Sequence, residues 1–235
     1  MPSGRKRQRW STRAHRVRQP SHRDAAVMLL SDDLSAAGFD QPFELLRGCH
    51  ARITHMDALL LRLIDHVALK ETQGRPNLPC SPRGAGRRAD PGGAQEGTDA
   101  QAQQAADKVL RYFDVAAPLH HEDEELHVFP VLRVSAEEWD GDDAVLETLE
   151  SDHRVLALLW AELRDWLLQV KGAKALPASA PITDAAQRFS ALHAAHIAIE
   201  NTQIFPAAQA RMNAAQITAM GQDMAARRGV RWPPD

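Results

Sequence analysis

One motif, present twice in this sequence, sets a histidine four residues before a glutamate. Its form is His-x-x-x-Glu-[Glu/Asn]-x-x-x-Phe-Pro, and the two copies begin at His120 and His196. Residues four apart lie on one face of a helix, so each copy presents an imidazole beside a carboxylate. These two ligand types together suit an Fe, Mn or Zn ion. One such pair is common on a helix surface, but two copies with matching downstream residues indicate duplicated halves that face each other around two metal ions.

A lone histidine on an apolar segment precedes each copy of the motif. His50 lies 70 residues before His120, whereas His153 lies 43 residues before His196. Much of the difference falls in a proline- and glycine-rich stretch from Gly74 to Gln104, where a helix cannot continue because proline lacks a backbone donor and glycine is unfavourable. Without this stretch the two halves are nearly equal in length, which supports the duplication.

The duplicated pattern predicts a site with four imidazoles and two carboxylates contributed by four helices. The candidate metal ligands are His50, His120, Glu124, His153, His196 and Glu200. Glu124 and Glu200 come one from each half and are placed to bridge two ions, with the imidazoles as terminal ligands. Buried carboxylates without a cation would be costly, because an unpaired ion loses its hydration. Glu150, Asp152 and His193 are candidate partners for the outer nitrogens of the imidazoles.

Some neighbouring residues leave the ligand set open. His121 and Glu125 form a second pair four residues apart, rotated by about 100° from the first, and a shifted helix would make them the ligands. The pair at His120 is favoured because only it matches the offsets of the second copy. His193 is a possible extra ligand. Tyr112, the single tyrosine, lies two turns before His120 and either reaches the site or packs in the core.

A Phe-Pro pair follows the glutamate at the same offset in both halves. A proline inside a helix removes one backbone hydrogen bond and usually kinks or ends the helix. The shared offset predicts a bend just past the metal-binding turn, with Phe129 and Phe205 as apolar lids. The alternative is that each Phe-Pro simply ends its helix.

Helical periodicity dominates the chain and strand signals are nearly absent. It predicts an all-α protein, an up-down-up-down four-helix bundle with a short C-terminal helix. The expected helices run from about Pro42 to Lys70, Ala102 to Val134, Asp143 to Lys171, Thr183 to Asn213 and Ala214 to Arg227. Thr183 is the expected N-cap of the fourth helix.

Composition narrows the class of protein. The chain has 235 residues, 44% hydrophobic residues and a net charge of -3, which points to no particular partner. The lack of long apolar runs excludes a membrane-spanning helix. Cys49 and Cys80 are too few for a disulfide scaffold, and we expect both to be free thiols in a reducing cytoplasm.

The N-terminal segment has a different character from the rest. Between Met1 and Arg23 it carries eight basic residues, and no acid occurs before Asp24. Such a segment could contact nucleic acid or other anionic surfaces, or act as a targeting peptide. We favour a disordered tail, or a start site placed too early, with Met28 as the alternative start. The predicted organisation is a tail (1–39), a bundle (40–229) with a flexible insert at about 74–100, and a C-terminal tail (230–235).

The order His, His-x-x-x-Glu, His, His-x-x-x-Glu resembles the hemerythrin-like (HHE cation-binding) family of four-helix bundles. Further similarity to bacterial members lies in Arg-Tyr-Phe at 111–113, His-His-Glu-Asp-Glu-Glu at 120–125, Val-Phe-Pro at 128–130 and Met-Ala-Ala-Arg-Arg-Gly at 224–229. The resemblance covers roughly Pro42 to Gly229. It implies a non-haem di-iron centre, two iron ions with an oxo or hydroxo bridge, held by the six residues named above. Manganese or zinc would also suit these donors.

Two departures from the oxygen-carrying members bear on function. Those proteins have a second histidine four residues after the one on the third helix, where this chain has Ala157. They also have an aspartate on the last helix, where this chain has Asn201 preceded by Glu200. Six ligands instead of seven leave more open positions, which favours reaction with oxygen, peroxide or nitric oxide over reversible carriage. The alternative function is an iron-sensing or iron-handling module whose metal occupancy controls stability or partner binding.

Overall fold

The computed structural model describes residues 38–74, 99–134, 143–174 and 178–232, and within them all regular structure is helical. The helices are α1 (Pro42–Gly74), α2 (100–134), α3 (Asp143–Lys171), α4 (180–211) and α5 (Ala214–Arg227). The predicted all-α class is therefore confirmed for this part of the chain. The basic N-terminal tail, most of the insert and the last residues of the chain lie outside it.

Helices α2 and α4 contain turns of wider, π-helical geometry. In α2 these turns are Tyr112–Ala116 and Glu124–Val128, and in α4 the turn is Glu200–Ile204. The last two begin at the glutamate of each motif and end immediately before Phe-Pro. Such turns place one extra residue in the helix and are frequent at functional sites.

The helix continues through Phe-Pro in both halves, so the alternative in which Phe-Pro ends each helix is wrong. After the π-helical turns, α-helix resumes over Phe129–Val134 and Phe205–Arg211. Each proline thus falls in the first turn of a resumed α-helical segment, where a missing backbone donor is tolerated. The π-helical turn thus occurs once in each half, and in both halves it begins at the glutamate of the motif.

The ends of the helices follow local sequence signals, with one correction. Asp99 caps α2 by accepting the backbone N–H of Ala102 at 2.8 Å. Helix α4 begins after Ser179, with proline in its first turn, so Thr183 is not its N-cap. Proline is favoured in the first helical turn because its missing N–H has no partner there in any case. Thr183 instead lies inside the helix and donates its hydroxyl to the carbonyl of Ser179 at 3.3 Å.

The four long helices surround a common core. Helix α1 packs against α2 and α4, and α3 packs against the same two helices, while α5 returns to contact α1. Helix α5 also approaches the segment just before α1, because a Cβ atom at Gly221 would lie 1.8 Å from the carbonyl oxygen of Phe39. Among the described residues, no helix is both long enough and apolar enough to span a lipid bilayer.

Two apolar clusters fill the bundle, one toward each end. The first apolar cluster includes Leu60, Val109, Leu163 and Phe189. The second apolar cluster includes Leu46, Phe129, Leu146 and Phe205. Burial of each large apolar side chain stabilises the fold by about 1.5–3 kcal/mol. These contributions offset the cost of the polar layer that lies between the two clusters.

Candidate metal centre

The layer between the apolar clusters contains all the residues predicted as metal ligands. On each of the long helices these residues fall between positions that belong to the second and the first apolar cluster; on α1, for example, His50 lies between Leu46 and Ile53. All of them are buried, and Glu124 and Glu200 are 0% exposed. The structure thus brings together side chains that are up to 150 residues apart in the sequence.

The side chains form two groups that share both glutamates. One group is His50, His120, Glu124 and Glu200, and the other is Glu124, His153, His196 and Glu200. Within each group the potential ligand atoms all lie within 4.8 Å of one another. Each group takes two imidazoles from one half of the chain and a carboxylate from each half.

Distances within the groups are short and similar in the two halves. The Nε2 atom of His120 lies 3.2 Å from Glu124 Oε1, and Nε2 of His196 lies 3.2 Å from Glu200 Oε1. The lone histidine of the first half reaches across the bundle, with its Nε2 atom 3.1 Å from Glu200 Oε2. The duplicated motif therefore produces a duplicated geometry.

Within the described part of the chain, five of the potential metal-binding atoms of this layer lack hydrogen-bond partners, whereas Nε2 of His153 and Nε2 of His196 lie 3.1 Å apart and share a hydrogen bond. All four carboxylate oxygens of Glu124 and Glu200, and Nε2 of His50, are buried without a hydrogen bond among the described residues. Buried polar groups in native proteins are nearly always satisfied, so a cluster of unsatisfied oxygens requires an explanation. Imidazole nitrogens and carboxylate oxygens are the donors preferred by Fe, Mn and Zn ions. The residues present therefore fit a pair of metal ions.

Burial and mutual charge shift the ionisation of this layer. Burial, reinforced by the charge of Glu200, raises the pKa of Glu124 to about 8. Burial acts in the same direction on Glu200, but the imidazoles of His196 and His50 outweigh it and lower its pKa to about 2. Burial lowers the pKa of His50, but the adjacent carboxylates outweigh it and raise the value to about 10. Metal-free, the layer retains protons that a cation would displace.

Each motif holds the lone histidine of the other half by a hydrogen bond. The residue after the first glutamate, Glu125, accepts from Nδ1 of His153 at 2.7 Å. The residue after the second glutamate, Asn201, places Oδ1 3.0 Å from Nδ1 of His50. These contacts fix the rings so that Nε2 faces the glutamates.

The aromatic residue of each Phe-Pro pair packs against the same lone histidines. The ring of Phe205 stacks on His50 with centroids 5.1 Å apart, and Phe129 stacks on His153 at 6.0 Å. Both phenylalanines are 0% exposed. They cover the polar layer on the side of the second apolar cluster, in the position expected of apolar lids.

The structure places the candidate partners of the imidazoles differently from one another. Asp152 Oδ2 lies 3.4 Å from Nδ1 of His196, so this residue contacts a candidate ligand. Glu150 instead pairs with Arg133 near the surface. Glu125 and Asn201 were missed in this role, although their fixed place after each glutamate was visible in the motif. The signal was present, but only the packing shows which ring each one meets.

His193 belongs to a separate polar pair. Its Nδ1 atom donates to Asp57 Oδ2 at 3.1 Å, and both side chains are buried. His193 also stacks on Phe113 with ring centroids 5.6 Å apart. It belongs to neither of the two four-residue groups.

His121 and Glu125, the alternative ligand pair, belong to neither of the two four-residue groups. Glu125 is bonded to His153, and the half-buried His121 stacks on the His153 ring with centroids 4.0 Å apart. Tyr112 donates its hydroxyl to the backbone carbonyl of Cys49 at 3.1 Å and packs in the first apolar cluster. Cys49 is a free, buried thiol, as predicted, whereas Cys80 lies outside the described residues.

A buried ion cluster next to Glu124 was not foreseen. Asp123 is 0% exposed and lies 2.5 Å from the guanidinium groups of both Arg227 and Arg228 at the end of α5. Burial raises the pKa of Asp123, and the two arginines oppose that shift. The cluster ties α5 to the residue that precedes a shared glutamate. Its sequence signal was the Arg-Arg pair at 227–228, whose partner could not be identified from spacing.

The fold and the site together define a class of helical-bundle proteins with a buried His/Glu cluster able to bind metal. The family model described as Hemerythrin HHE cation binding domain matches residues 41–208. The chain therefore belongs to this family, as its motifs predicted. An uncharacterized protein of Haemophilus influenzae is similar to it, with 26% identity over 195 residues that cover 83% of this chain and 94% of that protein.

Proposed function

We propose that this chain is a non-haem di-iron protein that interacts with a small oxidant, namely oxygen, peroxide or nitric oxide. The site lies inside an up-down-up-down four-helix bundle. The observation that supports this most is the pair of four-residue groups that share Glu124 and Glu200. Two cations placed one in each group would satisfy the four buried oxygens that otherwise lack partners.

The proposed ligand roles follow the two groups. His50 and His120 would hold one ion, His153 and His196 would hold the other, and Glu124 and Glu200 would supply carboxylates that are available to both. Iron bound here would supply the capacity to bind and reduce a small oxidant, a role that zinc with the same ligands would not fill. Metal availability in the cell decides between iron, manganese and zinc as much as the donors do.

The surrounding residues prepare the site for a small molecule. The first and second apolar clusters exclude bulk water, and Phe129 and Phe205 close one side. Ala157 stands where oxygen carriers have a further histidine, and it is exposed on α3. The side chain of Asn201 is hydrogen-bonded to Nδ1 of His50. With the six proposed ligands, two ions would keep coordination positions open for the oxidant.

Iron stoichiometry tests the ligand assignment. Metal-depleted protein given ferrous iron without oxygen should bind two irons per chain, and exposure to air should produce near-ultraviolet absorption bands. Replacing both Glu124 and Glu200 by alanine should abolish stoichiometric binding. Glu147→Ala on the exposed face of α3 is the matched control and should bind iron normally. A double variant that still holds two irons would contradict the assignment.

The second candidate function is an iron-sensing or iron-handling module. It is favoured by the ion cluster that joins Asp123, adjacent to Glu124, to Arg227 and Arg228 at the C-terminal end of α5. Metal binding at Glu124 would stabilise this connection by mass action. Rapid bleaching of added peroxide by the iron-loaded protein would favour the first function. A large iron-dependent gain in melting temperature or protease resistance without turnover would favour the second.

A further inference from the structure

The duplicated halves differ in charge at the residue that follows each shared glutamate. Glu125 accepts a hydrogen bond from Nδ1 of His153 at 2.7 Å, whereas Asn201 occupies the matching position and contacts Nδ1 of His50 at 3.0 Å. The geometry is the same in both halves. One lone histidine therefore faces a carboxylate, and the other faces a neutral amide.

A second difference of the same kind precedes each lone histidine. Asp152, directly before His153, lies 3.4 Å from Nδ1 of His196. The matching residue in the first half is Cys49, a buried thiol. The Nδ1 atom of His120 is buried and makes no hydrogen bond among the described residues. Acidic partners therefore accompany both imidazoles of one metal-ligand pair and neither imidazole of the other.

A carboxylate that accepts from Nδ1 makes the opposite ring nitrogen a stronger donor and adds negative charge close to the cation. Loss of one such partner typically lowers metal affinity about 10–100-fold. Both groups contain the same two glutamates. The difference in charge between the two positions therefore lies in the residues behind the imidazoles.

We infer that the two metal positions are unequal, and that a cation binds first between His153 and His196 and second, more weakly, between His50 and His120. Glu125 and Asp152 act as positioning residues that set this order through the imidazoles they hold. The inference rests on the proposed two-metal centre. It adds that the more weakly held, more exchangeable ion lies in the first half of the chain.

Zinc titration of the metal-depleted full chain tests the order. Zinc is diamagnetic, so the ring signals of ¹⁵N-histidine-labelled protein can be followed by NMR, with assignments from His50→Gln and His153→Gln. The signals of His153 and His196 should change during the first equivalent of zinc, and those of His50 and His120 during the second. Parallel changes across both equivalents, or the reverse order, would overturn the inference.

Isosteric exchanges at the matching positions isolate the charge. Glu125→Gln keeps the acceptor and should weaken the tighter step about 10–100-fold, while Asn201→Asp should strengthen the weaker step. The double variant, Glu125→Gln with Asn201→Asp, should bind its two zinc ions with similar affinities or in the reverse order. Glu150→Gln is the control. Glu150 lies on the same helix as His153 but pairs with Arg133 and not with a candidate ligand, so its replacement should change the affinity of neither zinc-binding step.

The outcomes separate this inference from the proposed function. A chain that binds fewer than two zinc ions would overturn the two-metal centre, and the order with it. Two ions that bind with steps unaffected by Glu125→Gln and Asn201→Asp would overturn the order alone. Two separated steps that respond to both exchanges would support it.

Discussion

Replacing Glu124 by glutamine is expected to change how the stability of the metal-depleted protein depends on pH. Glu124 is 0% exposed, neither of its oxygens is hydrogen-bonded, and burial and the charge of Glu200 raise its pKa from 4.5 to about 8. A group with a raised pKa in the folded state binds its proton more tightly there than in the unfolded chain. Its contribution to stability is therefore present below pH 4.5 and is lost as the pH rises through 8.

The magnitude follows from the size of the shift. The change from 4.5 to about 8 corresponds to about 5 kcal/mol when complete, of which about 3 kcal/mol is lost between pH 5 and pH 8. Glutamine has no proton to lose in this range. The free energy of unfolding of Glu124→Gln should thus rise by about 3 kcal/mol relative to that of the unsubstituted protein over the same interval.

Urea unfolding of chelator-treated protein at pH 5, 6, 7 and 8 measures this difference. Glu147→Gln, at an exposed position, is the control and should follow the unsubstituted protein at every pH. Added zinc should also flatten the pH dependence of the unsubstituted protein, because a cation keeps Glu124 ionised at low cost. Stability curves for Glu124→Gln and the unsubstituted protein that stay parallel from pH 5 to 8 would refute the reasoning.

The remaining predictions concern the fifth helix and the buried thiol. Arg228→Met should lower the free energy of unfolding by about 3 kcal/mol, because it removes one partner of the buried Asp123. Gly221→Ala should cost about 1–3 kcal/mol, since its Cβ would collide with the carbonyl of Phe39; both are measured by urea unfolding. Burial raises the pKa of Cys49 to about 11, so iodoacetamide should modify it only after unfolding.

Matched controls accompany each of these predictions. Arg188→Met removes an exposed ion pair at 3.9 Å and should change stability by less than about 0.5 kcal/mol. Gln222→Ala, exposed and next to Gly221, should be similarly neutral. The iodoacetamide experiment is done in the Cys80→Ser variant, so that Cys49 is the one cysteine that can be labelled. An Arg228→Met variant as stable as Arg188→Met, an unaffected Gly221→Ala, or rapid labelling of native Cys49 would each contradict the corresponding argument.

The sequence by itself determined the helical class, most helix boundaries and the residues that meet at the site. These depend on local geometry: apolar residues at helical spacing mark the buried face, and a histidine four residues before a glutamate shares that face wherever the helix packs. The family followed from the same motifs. Thr183 failed as a cap because Ser179 and a first-turn proline begin the helix one turn earlier.

Only the tertiary structure decided which residues stand behind the imidazoles. Glu125 with His153, and Asn201 with His50, pair across the two halves, and these pairings depend on how the helices face one another. Spacing along the chain does not encode that orientation. The sequence also did not predict the π-helical turns that begin at both glutamates. A turn with one extra residue is stabilised by packing and not by local helix propensity. The difference in charge between the partners of the two imidazole pairs follows from those contacts, which exist only once the halves are packed together.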